Sequence, residues 1–211
     1  MPFIKFFTVL SVASLLSTSA FNQKLSSDTT KKPLAISVSY FGETITHYGL
    51  SVGAEYPLHM WNREKERKNG TLKTRDYAWV TGLHLAAFRH PGNHYGVILY
   101  PTIGYTRTKT KGAFFQTGIS MGYMRVFLDG ETYQVNSAGE LERVRLASRG
   151  TFLPGVYMGW GKDLSRTTGI PIIWHVKPSL LLQIPYNTTV LPRMALEAGV
   201  IYKMKSTIRN H

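Results

Sequence analysis

The feature that most constrains this chain is an alternation. Over most of residues 34–204, large apolar residues recur at every second position, and no stretch keeps the helical period of 3.6 convincingly. Leu34, Ile36, Val38 and Tyr40 share one face, with Ala35, Ser37 and Ser39 on the other. Tyr48, Leu50, Val52, Ala54 and Tyr56 likewise oppose Gly49, Ser51, Gly53 and Glu55. Similar stretches begin near residues 77, 95, 115, 152, 172 and 194. The pattern predicts about eight strands of roughly ten residues, the length a tilted strand needs to cross a bilayer.

Which face points outward decides the solvent. A closed barrel of about eight strands has an interior just wide enough for side chains. The polar face is mostly Gly, Ser, Ala and Thr, and the chain holds 19 glycines. Those residues fit inside such a barrel. The Leu, Ile, Val, Met, Phe, Tyr and Trp of the other face do not, so they point out. An apolar exterior on that scale is untenable in water and required in lipid, where ring closure satisfies every backbone group. Tyr48, Tyr56, Tyr77, Trp79, Tyr95, Tyr105, Trp160, Trp174 and Tyr202 cluster near strand ends, as interfacial girdles do. The expected fold is all-β, a closed antiparallel up-and-down transmembrane β-barrel of about eight strands. The competing reading is a soluble, lipocalin-like carrier with its apolar face inside, which places Glu55, His84, Lys177 and Glu197 in water.

The N-terminus reads as a processing segment. Lys5 gives a positive start, residues 6–16 are apolar, and Ser17, Thr18, Ser19 and Ala20 are small. That is the pattern of a secretory signal peptide. The chain of 211 residues then divides into a signal peptide (1–20), a flexible leader (21–33), one barrel (34–204) and a tail (205–211). With Cys 0, disulfide scaffolds, thiol catalysis and cysteine-zinc sites are excluded.

Taken together, the signal peptide, the alternating segments and the last stretch, Leu196-Glu-Ala-Gly-Val-Ile-Tyr-Lys-Met204, resemble a small Gram-negative outer-membrane β-barrel protein. The resemblance covers residues 34–204. It implies export through the periplasm to the bacterial outer membrane, a closing strand read by barrel-assembly machinery, and a monomer among outer-membrane lipids. It also implies a structural or interaction role, in membrane integrity or in contact with lipopolysaccharide or a partner.

The formal charge of +13 sits in connectors. Residues 59–76 read as a long basic loop with Arg63, Lys65, Arg67 and Lys68, and residues 106–111 add Arg107, Lys109 and Lys111. At headgroup level these would attract anionic lipid, lipopolysaccharide included. Their alternative is a solvated, solubilising loop. Nucleic acid is not an expected partner, because the charges follow no groove and the signal peptide exports the chain. Residues 129–148 read as a connection with its own hairpin. If both termini are periplasmic, residues 59–76 form an unusually long periplasmic turn. Either one strand is miscounted or that loop acts there.

Inside the barrel, parity predicts a polar lumen network of Glu55, His84, Gln116, Lys177, Glu197 and Lys203 that plugs the interior. Burial without pairing is costly, so pairs are expected. His175, Ser179 and Glu197 are the candidate catalytic set for a hydrolase resembling the outer-membrane lipid A deacylases. The spacing of four between His175 and Ser179 departs from that family's spacing of two. Pro101, Pro154 and Pro178 fall within strands on the outward face. Pro154 and Pro178 lie on successive strands, where a weakly bonded seam would admit lipid sideways, as in some outer-membrane acyltransferases. A narrow pore is a further reading. His90 and His94 bracket Pro91-Gly92-Asn93, a spacing able to ligate a metal, but no carboxylate sits beside it and turn chemistry is the better reading. No cofactor and no metal is expected.

Overall fold

The structure, a computed structural model, describes residues 32–43, 47–66, 72–137, 139–144, 147–186 and 189–204. The expected signal peptide, most of the leader, the tail at 205–211, and Arg67 and Lys68 lie outside the described residues.

Eight long strands close into one barrel. They are β1 (Ala35–Glu43), β2 (His47–Glu66), β3 (Leu72–His90), β4 (His94–Lys109), β5 (Ala113–Leu128), β8 (Ser148–Asp163), β9 (Ile172–Tyr186) and β10 (Thr189–Lys203). Two short strands, β6 (Thr132–Val135) and β7 (Leu141–Val144), form a separate hairpin in the connection between β5 and β8. Each long strand pairs antiparallel with its neighbours in the ring, and β1 closes it against β10. The architecture matches the expectation from alternation, including the hairpin within residues 129–148.

The faces divide by parity. Leu50, Leu83, Leu85, Ile119, Val156, Trp160, Leu180 and Val200 point outward and are exposed. Aromatic residues bound this band: Tyr48 and Tyr56 on β2, Tyr95 and Tyr105 on β4, Phe152 and Trp160 on β8. The members of each pair are separated by about the ten residues that a tilted strand needs to cross a bilayer. Ser37, Ser39, Ser51, His84, Gln116, Ser120, Lys177 and Glu197 point inward and are buried. Glycine lets rings lie flat on this inner wall. A Cβ at Gly53 would collide with the His84 ring, and one at Gly104 with the Tyr157 hydroxyl. The lipocalin-like reading fails here, because the apolar face of the barrel strands is the outer one.

Residues 59–76 are a correction. The described ones, 59–66 and 72–76, are strand rather than loop. β2 and β3 stay paired out to Glu66 and Leu72 and run well beyond the start of β1, where Ala35 meets Glu55. Residues 106–109 likewise continue β4. A β-bulge between Pro57 and His59 shifts the parity of β2, as bulges do. Beyond it, His59, Trp61, Arg63 and Lys65 join the outward side, opposite Trp79, Tyr77, Arg75 and Lys73. Tyr77, expected as an exposed girdle residue, is instead covered: Trp61 stacks on it at 5.7 Å and Tyr105 at 5.9 Å.

Candidate functional site

The lumen is filled in layers. Both described ends of the chain, before β1 and after β10, lie at one mouth, here called the terminal end. At the far end, Phe41, Phe88, Ile98, Met124, Leu153 and Leu181 pack into an apolar plug. Below it lies a polar layer. Lys177 and Glu197 are paired across β9 and β10, with Nζ 3.1 Å from Oε1. The ammonium also lies 5.3 Å from the centre of the Tyr157 ring and 5.9 Å from that of Tyr100. Ser51 Oγ is 3.0 Å from Tyr100 Oη, and His84 stacks on the same ring at 5.1 Å. Glu55 approaches His84 to 3.9 Å. Gln116, on β5, is buried as well. The cavity between plug and polar layer measures about 10 Å³, room for about one water molecule.

The candidate catalytic residues are all in this lumen but are engaged elsewhere. His175 Nε2 is hydrogen-bonded to Ser39 Oγ at 3.2 Å. Glu197 holds Lys177, and Ser179 lines the small cavity. Nothing in the sequence around Ser39 marks it for this contact; only the closure of β1 on β10 sets it beside Gly199, over which it reaches His175 on β9.

Lys203 is a second correction. It does not join the central layer. It donates to Asp163 Oδ2 and to Ser165 Oγ at the terminal end. The reason is position: Lys203 is the last residue of β10 and stands at the rim, whereas Glu197 lies within the strand. Asp163 also caps a 3-10 turn (Leu164–Arg166) by accepting from Ser165 N–H at 3.1 Å, and it lies beyond Trp160, outside the apolar band. Burial works to raise the Asp163 carboxyl, but the Lys203 ammonium and the Ser165 hydroxyl and amide outweigh it and hold the group below the usual carboxylate range. A cavity of about 170 Å³ opens at this mouth, lined by Glu55, Thr106, Phe114, Asp163, Ile201 and Lys203.

The β8–β9 ladder is interrupted. Pairing runs through Gly155–Leu181 and Tyr157–Ser179, then resumes at Trp160–Val176. It skips Pro154 and Pro178, each of which lacks a donor. β4 and β5 skip Pro101 in the same way, between Leu99–Tyr123 and Thr102–Ser120. At the turn between β3 and β4 the sequence is a direct guide: Asn93 N–H donates to His90 O at 3.1 Å, with Gly92 at φ 73.

On the outside, the hairpin of β2 and β3 sorts charge by face. Arg63 and Arg75 are cross-strand partners, as are Lys65 and Lys73, and Arg75 faces Lys109 on β4. All lie on the side that continues the aromatic girdle. Glu64, Glu66 and Asp76 lie on the side that continues the lumen. Arg63 sits 5.8 Å over the Tyr77 ring, and Arg107 sits 5.8 Å over Phe115. Lys111 is in the exposed turn that follows β4.

An apolar exterior, a closed ladder and a polar, filled interior together make a transmembrane β-barrel. The chain is similar in shape to several solved barrels. Neisserial surface protein A aligns at 12% identity with a TM-score of 0.47, over 82% of this chain and 96% of that one. The N-terminal β-barrel domain of Pseudomonas aeruginosa OprF aligns at 14% with a TM-score of 0.38, over 82% and 100%. Ail, the attachment invasion locus protein of Yersinia pestis, aligns at 9% with a TM-score of 0.37, over 82% and 97%. No protein-family model and no curated protein matches the chain. The barrel and its two faces are therefore read from this chain's own geometry.

Proposed function

We propose that the protein is a non-conducting barrel of the bacterial outer membrane, exported through the periplasm. Its role is structural or interactive, and its basic outer face at the terminal end holds phosphate-bearing lipid. The observation that carries this reading is a row of like charges just beyond the girdle. Arg63 stands opposite Arg75, and Arg75 stands opposite Lys109, so three cations lie side by side on three strands. Like charges directly opposite one another are destabilising, and an anion between them relieves the repulsion. Cations directly beyond an aromatic belt stand at headgroup level, where phosphates supply that anion. Arg63, Lys65, Arg107 and Lys109 share this face. The apolar plug over the Lys177–Glu197 pair supports a silent lumen.

The test uses the full chain in liposomes. Flotation with neutral lipid is compared with flotation in the presence of lipopolysaccharide or phosphatidylglycerol, with binding read from tryptophan emission at Trp61 and Trp79. Salt-sensitive binding, weakened by R63E/K65E/R107E/K109E, supports the reading. Equal behaviour of wild type and variant overturns it. Preference for lipopolysaccharide places the basic face in the outer leaflet, and preference for the phospholipid places it in the inner one. In planar bilayers the protein is expected to be silent, and unitary current steps would refute the plug.

The second reading, a lipid-modifying enzyme, draws on the interrupted β8–β9 ladder. Mass spectrometry of lipid A from cells with and without the gene tests it, and an unchanged acyl pattern counts against it.

A further inference from the structure

Four polar side chains stand in one lateral row at the far mouth of the lumen. Register places Glu43 beside His47 across β1 and β2, and His90 beside His94 across β3 and β4. β2 and β3 pair Tyr48 with Arg89, which makes His47 and His90 the next neighbours in the same row. The row thus takes one residue from each of four consecutive strands. Parity turns all four inward, on the side of Ser51, His84 and Ile98.

The three imidazoles crowd together. Ring centres are 4.1 Å apart for His47 and His90, 5.2 Å for His90 and His94, and 5.7 Å for His47 and His94. Phe88 forms their floor, 6.0 Å from both His47 and His94. His90 Nδ1 and His94 Nε2 are buried and make no hydrogen bond. A buried polar nitrogen without a partner is costly, and two at one place ask for a common one. Glu43 adds the carboxylate that sequence alone does not place near this turn. Its Oε2 lies 3.6 Å from His47 Nδ1, which leaves the Nε2 of that ring for another partner. Arg193 Nη1 donates to Glu43 Oε1, and Arg193 Nε donates to Gln183 Oε1 at 2.7 Å. A carboxylate beside the outer nitrogen of a histidine is the arrangement that orients metal-binding imidazoles.

We propose that His47, His90 and His94 bind one divalent transition-metal ion at the far mouth, with Glu43 orienting His47. Three imidazole ligands suit zinc, copper or nickel, whereas calcium and magnesium need oxygen donors. Nitrogens 2.0–2.1 Å from a tetrahedral ion place the ring centres about 5 Å apart. Two of the three spacings are already near that value. As the side chains stand, no group of three or more His, Cys, Asp or Glu among the described residues is placed to hold a metal ion, these histidines included. Rotation about χ1 and χ2 brings the rings in, with the backbone row unchanged, and three protein ligands leave one position for water or an external donor. The Arg193 charge is matched by Glu43 and so does not oppose the ion as a bare cation.

The experiment takes the full, untagged chain folded in detergent micelles, stripped with chelator, and titrates it with zinc chloride by calorimetry at neutral pH. One ion per barrel is expected, with a zinc-dependent rise in the unfolding temperature. H90A and H94A are expected to lose this binding while keeping the heat-modifiable migration of a folded barrel. H59A, on the outer face of the hairpin, is expected to keep it. Absence of stoichiometric binding by the wild type overturns the proposal. So does binding that survives in both H90A and H94A, or binding that disappears in H59A. Where H90A does not fold, H94Q and the wild-type thermal shift decide the question by the same criteria.

Discussion

Lys177 and Glu197 face each other across β9 and β10, 3.1 Å apart and 5% and 3% exposed. A pair so placed stabilises little relative to an apolar pair, but its halves cannot be separated cheaply. Removing one partner, in K177M or E197L, is expected to cost about 3–5 kcal/mol, because it strands the other charge. The double variant K177M/E197L should recover most of the loss. Urea unfolding in micelles, followed by gel mobility, checks this. A double variant no more stable than the singles would mean the charges are not a unit.

The assignment of faces is tested by placing one change on each. L85R puts a guanidinium at mid-band on the outer face, where Leu85 is 47% exposed, and is expected to cost about 2–4 kcal/mol in a bilayer. S51A alters only a lumen hydroxyl bonded to Tyr100, and is expected to cost about 1 kcal/mol. Refolding yields and unfolding midpoints in lipid vesicles rank the two. The reverse order would mean that the outer face meets water.

Asp163 should give the barrel an acid-sensitive terminal end. Its folded carboxyl titrates below the usual range because Lys203 and Ser165 hold the ionised form. A depressed pKa contributes stability that is fully present above the unfolded value of about 4, and that is lost as pH falls through the lower folded value. Wild type should therefore lose stability across that acid window, and D163N should show a flatter profile there. Parallel profiles for the two proteins would remove Asp163 as the cause.

The interrupted β8–β9 seam predicts uneven hydrogen exchange. Amides of residues 153–159 and 177–183 that face this seam should exchange faster than those of the continuous β9–β10 ladder. P178V restores a donor and should slow exchange locally. Uniform protection around the ring would show that the prolines leave no weak line.

Much of the fold is legible from parity alone. A period of two assigns a residue to a face without knowing its neighbours, which is why Glu55, His84, Gln116, Lys177 and Glu197 are readable as inward. Parity does not say which inward residues meet. Glu43 and His47 reach His90 and His94 only through the registers of β1, β2, β3 and β4. Ser39 reaches His175 only through ring closure. Lys203 has the right parity but stands at the rim, level with Asp163. Residues 59–76 look like a loop in sequence because their alternation is of charge sign. Arg63, Glu64, Lys65 and Glu66 are uniformly hydrophilic, so they carry no hydrophobic period, and the bulge at Pro57 and His59 resets the phase just before them.

The overhang of β2 leaves the cylinder a bare selvage at its terminal end. Beyond Glu55, β2 has β3 on one side and, among the described residues, no strand on the other. Two copies pairing antiparallel there about a two-fold axis centred on Glu64 would lay Arg63 against the other copy's Lys65 and Glu64 against its own counterpart. That mutual repulsion disfavours edge-to-edge pairing of two molecules along this border.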